Sequence, residues 1–490
     1  MPGICGIIQR CSRQVDEPAA GRMASRMTHH AGAVHGVLCE PRFGLSAGWA
    51  AHQGSFASRM PLWNGRRDVC LILAGEVFDP DTLTPGGEQR LLELYDSQGA
   101  AFVRALNGWF AGLLIDFRSE NVLLFNDRYG MARVYVHETD DSLYVASEAK
   151  CLLGELPHLR KLDSRGLAEW LTCGCVLEGR TLFSGISLLP PGSLWRIGPD
   201  GKVGKERYFD PREWEEQPKL EPEDYYAGLQ ERFRRVLPRY FGGPQRIGIS
   251  LTGGVDSRLI MAWHPVSAGN PPCYSFGGPF RDCLDVTIGR QVAHACGHSH
   301  QVIRVDQQFL EQFPALAARA AYVSDGAMDV TGAVELFVNA AAREIAPVRL
   351  TGNYGGEILR SMVAFGPRAI SPLPFAPELR QEFARAAETY RRQRDGNPLT
   401  FIAFKQVPWH HHSRLSVEQS QLTLRSPFLD NELVAHVYRA PSASVAGKSV
   451  SLRLIQNGNP ALGGIPTDRG LRLSGASVLD SAKRRWLDLI

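Results

Sequence analysis

Ser250-Leu251-Thr252-Gly253-Gly254-Val255-Asp256-Ser257-Arg258 is the stretch whose reading decides the fold. Upstream, Arg246-Ile247-Gly248-Ile249 reads as a short buried strand. Downstream, Leu259-Ile260-Met261-Ala262-Trp263 reads as an apolar helix laid on a sheet. Two glycines, two hydroxyl side chains and an acid lie between them. A residue without Cβ lets the backbone come close to a ligand, and the amides of such a loop and of the following helix start point at an anion. Gly253, Gly254 and the amide of Val255 therefore suit a phosphate, with Thr252 and Ser257 as hydroxyl donors. Asp256 is a candidate ligand for a magnesium ion bridging phosphates. No Gly-Lys-Ser/Thr follows, which excludes the Walker type of phosphate loop.

Beyond this stretch the pattern alternates. Cys273-Tyr274-Ser275-Phe276-Gly277 reads as a second strand, Val286 to Cys296 as a helix and His300 to Val305 as a third strand. Such alternation predicts a parallel sheet with helices on both faces, whose ligands sit at the carboxyl ends of the strands. Val348-Arg349-Leu350-Thr351-Gly352-Asn353-Tyr354-Gly355-Gly356-Glu357 repeats the logic: a short apolar strand, a glycine-rich turn, then a helix with an acid in its first turn. His298 and His300 read as helix-end and strand-start residues. His410-His411-His412 are consecutive on one segment and converge poorly on a single ion.

Phe209 to Glu223 is charged and carries three prolines, the composition of a surface linker. From Asp224 to Tyr240, Tyr225, Leu229, Phe233 and Leu237 recur with a helical period. A boundary near 210–222 follows, with domains at 1–209 and 222–490. The chain has 490 residues, 44% hydrophobic and 21% charged, with net charge +3. That balance suits two globular domains and argues against nucleic-acid or acidic-membrane partners. No apolar run is long enough to span a bilayer, and the first residues lack the basic-then-apolar form of a secretion signal. Ten cysteines without paired spacing read as reduced thiols of a cytoplasmic protein.

Thr252-Gly253-Gly254-Val255-Asp256-Ser257 resembles the pyrophosphate loop, Ser-Gly-Gly-hydrophobic-Asp-Ser, of the asparagine synthetase family. Tyr274-Ser275-Phe276-Gly277 is similar to the segment that receives adenine there, and Asp285 falls near a family acid. Arg425-Ser426-Pro427-Phe428-Leu429-Asp430 is similar to the family's Arg-x-Pro-Phe-Leu-Asp. The resemblance implies an ATP-binding site from Thr252, Gly253, Gly254, Val255, Asp256, Ser257, Ser275, Phe276, Gly277 and Gly352. It implies Mg2+ on Asp256 and Glu357, with Tyr354, Arg425 and Arg469 near the reacting groups. Departures are evident: Gly356 stands where the family has an Asp, Asn353 at its neighbouring variable position, and Thr423 where relatives carry a Glu. No Lys stands near Arg469.

In the first half, Cys5-Gly6-Ile7, Leu106 to Ala111, Asn126 to Gly130, Ala146 to Lys150 and Leu189 to Gly192 resemble landmarks of the family's glutaminase domain. The implied fold is a four-layer α/β/β/α sandwich, followed by a doubly wound parallel sheet with helical additions. Cys5 is the implied nucleophile, provided residues 1–4 are removed so that its own amine can act as base. The surrounding chemistry is altered. His30-Ala31-Gly32-Ala33 replaces an Arg-Gly-Pro-Asp clamp, Gly86-Gly87-Glu88-Gln89 replaces Ser-Asp-Thr-Glu, and Ala74-Gly75-Glu76 replaces Asn-Gly-Glu. Loss of one oxyanion donor costs about a hundredfold in rate. A degenerate glutaminase is expected, joined to an AMP-forming ligase that takes a small-molecule or peptide carboxylate and ammonia or an amine. A homodimer is compatible with this reading. True asparagine synthesis, peptide macrocyclisation, β-lactam closure and a non-catalytic nucleotide-binding regulator stay open.

Overall fold

The computed structural model describes residues 1–10, 14–79, 81–84, 86–371, 374–441, 449–468 and 470. Its chain divides into two units: Met1–Pro211 with Ala317–Gly332 and Ala364–Gln421, and Arg212–Leu316 with Ala333–Val363 and Leu422–Ile490. Two stretches of the second half thus pack with the first half, which corrects the contiguous domains 1–209 and 222–490. Specific polar contacts hold them there. The Asp325 carboxylate accepts the amides of Ala149 (2.7 Å) and Lys150 (3.0 Å), and Arg165 reaches Glu382 (3.0 Å) and Thr389 (2.6 Å).

In the first unit the strands are β1 (Gly3–Gln9), β2 (Ala33–Glu40), β3 (Leu45–His52), β4 (Leu62–Trp63), β5 (Val69–Val77) and β6 (Gly108–Asp116). They continue with β7 (Asn121–Asn126), β8 (Tyr135–Glu138), β9 (Ser142–Ala146), β10 (Ser187–Leu188), β11 (Ser193–Ile197) and β12 (Val203–Arg207). They form two six-stranded antiparallel sheets, in the orders β10-β8-β9-β1-β3-β2 and β12-β11-β7-β6-β5-β4. Side chains alternate between faces along a strand. On β1, a Cβ on Gly6 would stand 3.4 Å from Leu113 of β6, so this face meets the other sheet. Cys5 and Ile7 face the opposite way, into a core with Ala19, Met23 and Ala24 of helix Glu17–Arg26 and Cys151 and Leu152 of helix Ala149–Glu155.

The helix at Glu17 starts where the Asp16 carboxylate accepts the Ala19 amide at 2.9 Å, with a proline in the first turn. On the outer face of the second sheet, helix Arg90–Gln98 is anchored by Tyr95, whose hydroxyl donates to Asp116 at 2.8 Å. Tyr95 and Phe125 both meet Phe102 edge-on. The layers are α/β/β/α, as the resemblance implied.

The second unit is built on β13 (Ile247–Ser250), β14 (Cys273–Gly277), β15 (His300–Arg304), β16 (Val348–Leu350) and β17 (Thr423–Arg425). All four pairings are parallel, in the order β15-β14-β13-β16-β17. Ile249, Tyr274 and Leu350 are fully enclosed, as strands covered on both faces require. Successive strands run outward from β13 to β15, and the chain then returns to place β16 on the other side of β13. This reversal opens a crevice at the carboxyl ends of β13 and β16, the usual ligand position in such sheets. Among the described residues no helix is long and apolar enough to cross a membrane.

Burial pushes His29, His264, His411 and His436 down to about 4. An unfolded histidine titrates near 6.5, so between these values the unfolded chain binds more protons and stability falls as pH falls. Asp127, pushed up to about 6 by burial against the amides it accepts, works in the opposite sense below pH 6, as do Asp325 and Glu357, which burial also pushes up; three further histidines, His300, His410 and His412, are lowered and act with the first four. The expected outcome in differential scanning calorimetry is an unfolding midpoint at pH 5 about 5 °C or more below that at pH 7.5. An equal or higher midpoint at pH 5 contradicts it.

Candidate functional site

Two turns meet at the crevice. One joins β13 to helix Asp256–Ala262; the other joins β16 to helix Gly355–Arg360. A Cβ on Gly352 would stand 2.5 Å from the Ser257 amide nitrogen, and one on Gly355 would stand 2.6 Å from Asp256 Cγ. Neither position has room for a side chain. Their neighbour Tyr354 is buried and holds a left-handed backbone at φ 71°, an uncommon conformation for a bulky residue.

Within the first turn, the Thr252 amide donates to Ser257 Oγ at 3.2 Å, and the two hydroxyls lie 3.3 Å apart. The Gly254 amide reaches Thr252 Oγ1 at 3.3 Å, while Gly253 donates to the Asp285 carboxylate at 2.7 Å. Asp285 thus supplies the kind of oxygen a phosphate would bring, and an arriving phosphate would compete with it for that amide. The helix after the loop has seven residues, so what this turn can offer an anion is amides and hydroxyls rather than a long helix dipole.

Arg258 secures the turn from below. Its guanidinium donates to the carbonyls of Ile465 (2.5 Å) and Pro466 (3.0 Å), placing the Asp468 amide on the Gly253 carbonyl at 3.0 Å. Burial pulls the Arg258 guanidinium down to about 10, with Asp468 opposing. Sequence reasoning overlooked this residue, although its place directly after Ser257 was a signal.

Asp256 is engaged by a partner that the sequence did not announce. Both of its oxygens are taken by Arg360, Nη1 on Oδ1 at 2.7 Å and Nη2 on Oδ2 at 2.8 Å. A magnesium ion needs direct oxygen contacts of about 2.0–2.1 Å, and here one lone pair of each Asp256 oxygen is directed at Arg360 instead. Glu357, the other expected ligand, has its carboxyl pushed up by burial and then by the Asp256 charge, with Arg360 opposing. Among the described residues no group of three or more His, Cys, Asp or Glu side chains is placed to hold a metal.

The remaining expected residues divide. Ser275 is buried on β14 with its hydroxyl 2.8 Å from the Leu251 carbonyl and 2.9 Å from His300 Nε2, and it pairs with Val302 in the sheet. The Phe276 ring lies under the Arg349 guanidinium at 4.9 Å, and Gly277 ends the strand. Arg425 is buried, and its guanidinium donates to the carbonyls of Tyr240 (3.1 Å) and Gly242 (2.7 Å). This corrects its expected role near the reacting groups to that of a strut. Its carbonyl and the neighbouring Ser426 hydroxyl shape the second turn, bonding the Thr351 amide (3.0 Å) and the Asn353 carbonyl (2.6 Å). Arg469 lies outside the described residues.

Cys5 does not form a site. It pairs with Gly48 and Ala146 on its two sides, is fully buried, and has its thiol pushed up to about 12 by burial. A reactive thiol needs exposure and a lowered pKa. Gly3 and Ile4 continue the ladder with β3, so the residues before Cys5 are built into the sheet. The expected nucleophile is a core residue here.

Residues 1–209 match the model of the glutamine amidotransferase domain. A Mycobacterium bovis protein, provisionally named a glutamine-hydrolysing asparagine synthetase, is 25% identical over 335 residues, covering 66% of this chain and 50% of that protein. A Bacillus subtilis glutamine-hydrolysing asparagine synthetase is 23% identical over 295 residues, covering 58% of this chain and 44% of its own length. The chain thus spans about half the length of these relatives. A solved glutamine phosphoribosylpyrophosphate amidotransferase from B. subtilis covers 78% of this chain and 89% of its own, at 12% identity and TM-score 0.30, too slight a likeness to argue from. With an amidotransferase domain model matching its first 209 residues and relatives named asparagine synthetases at 23–25% identity, the chain is similar to the asparagine synthetases over much of its length.

Proposed function

We propose that the protein is an ATP-dependent, AMP-forming carbon–nitrogen ligase whose nitrogen comes from ammonia or an amine rather than from glutamine hydrolysed at Cys5. One observation carries this reading: a loop of two glycines and two hydroxyls lies at the switch point of a parallel sheet, packed on a second glycine turn. In the proposed reaction Thr252, Ser257 and the loop amides hold the β- and γ-phosphates, and the backbone at the end of β14 lies beside the base. A substrate carboxylate attacks the α-phosphorus. The α–β phosphoanhydride bond breaks, and its electron pair leaves with pyrophosphate. The amine then adds to the acyl carbon of the adenylate, the acyl–oxygen bond breaks with its pair going to AMP, and the nitrogen gives up a proton. Oriented amides suit this chemistry, since fixed donors stabilise developing charge without reorganising. No step is routed through a metal held by Asp256.

A second reading, a nucleotide-binding protein without turnover, is favoured by the Asp256–Arg360 pair. Carboxylate-dependent exchange of radioactive pyrophosphate into ATP separates the two. Exchange supports the ligase, whereas ATP binding with no exchange across small-acid and peptide carboxylates supports the second.

Thr252→Ala and Ser257→Ala are expected to lower exchange by about tenfold each, the scale of a lost donor to a charged group. Gly352→Ala, which puts a methyl onto the Ser257 amide nitrogen, is expected to abolish ATP binding with the fold otherwise kept, as read by calorimetry and circular dichroism. Wild-type protein is expected to release no ammonia from glutamine, and Cys5→Ala to leave exchange unchanged. Glutaminase activity that disappears with Cys5→Ala would reverse the assignment for the first unit.

A further inference from the structure

Arg360 is the feature of this site that the family resemblance does not explain. Its side chain is 8% exposed and that of Asp256 21%. Besides the two bonds to Asp256, its Nη1 lies 3.4 Å from Ser451 Oγ, and its buried Nε has no hydrogen-bond partner among the described residues. A guanidinium presents donors in a planar fork that suits carboxylate and phosphate equally well. The place it fills is also informative. A Cβ on Gly356 would stand 2.8 Å from Arg360 Nη2 and 2.8 Å from Met362 Sδ, so a side chain at 356 would have to displace the ends of both. In the family resemblance that position carries an acid that holds a second magnesium. Here that acid is absent and a fixed positive charge lies against Asp256.

We infer that Arg360 is the resident cation of this site: it takes the place of a divalent ion and binds the phosphates of the nucleotide through its guanidinium, with Asp256 holding it in position. The inference rests on the nucleotide reading of the loop. It separates two roles that coincide at a metal site. Asp256 becomes a positioning residue for Arg360, and affinity for the phosphates resides in Arg360 and the loop amides. Removing the Asp256 charge then does not remove the phosphate site, whereas removing the Arg360 charge does.

The test is calorimetric titration of ATP into the full chain, once in excess EDTA and once in millimolar magnesium. Wild-type protein is expected to bind ATP in EDTA with a Kd within about threefold of that in magnesium, a difference under 1 kcal/mol. Arg360→Gln is expected to bind about tenfold or more weakly in EDTA, with Arg360→Lys retaining most of the affinity. Asp256→Asn, which keeps one acceptor for the guanidinium, is expected to bind ATP in magnesium within about threefold of wild type, whereas loss of a magnesium ligand would weaken that binding about tenfold or more. Wild-type affinity that collapses in EDTA and returns with magnesium overturns the inference while leaving the nucleotide loop standing. So does an Arg360→Gln variant that binds normally in EDTA. Absence of binding in both buffers removes the nucleotide reading itself and the inference with it. Should Arg360→Gln lose its circular dichroism signal, Asp256→Asn decides alone, and loss of ATP binding in that variant overturns the inference.

Discussion

No side chain can stand between the turn that ends β13 and the turn that ends β16, and the second unit is organised by that exclusion. The strands are parallel neighbours, Ile249 beside Leu350, so their carboxyl-end loops emerge together. Gly352 and Gly355 lie against the amide of Ser257 and the carboxylate of Asp256 closer than any Cβ would permit. Glycine is costly in an ordered chain because it loses the most conformational freedom on folding. Here that cost lets two loops about a hundred residues apart share one surface. Everything polar in the crevice inherits its position from this contact.

Much of the architecture was legible in the chain. A β-branched run followed by glycines and hydroxyls announced β13 and its loop, because a buried parallel strand must be apolar throughout and its end must turn sharply. The residues of β14 matched their expected span, and β15 differed by one residue at its end. Helix Pro222–Val236 followed the spacing of Tyr225, Leu229 and Phe233, all of them buried. The charged segment before it contains a short helix at Arg212–Glu215 within the expected linker.

What the sequence concealed were pairings across long separations. Arg360 lies 104 residues from Asp256, and no periodicity links them. Asp256 therefore read as a metal ligand, when the chain itself supplies its counter-charge. Arg425 sits in a segment similar to a family motif, yet its guanidinium is taken by two backbone carbonyls that no pattern places nearby. Residues 317–332 and 364–421 carry helical periodicity that says nothing about which unit they cover, and contacts such as Asp325 with the amides of Ala149 and Lys150 decide it. Cys5 was ambiguous for a related reason. Alternation along β1 puts it on the same face as Ile7, but only the position of helix Glu17–Arg26 shows that this face is sealed.

The contact between Gly356 and the tip of Arg360 couples two positions. An acid introduced at 356 would have to displace the ends of both Arg360 and Met362, each 2.8 Å from its Cβ, and shortening residue 360 alone would strip Asp256 of its counter-ion. Changes at 356 and 360 should therefore combine non-additively, as residues that share one volume and one charge do.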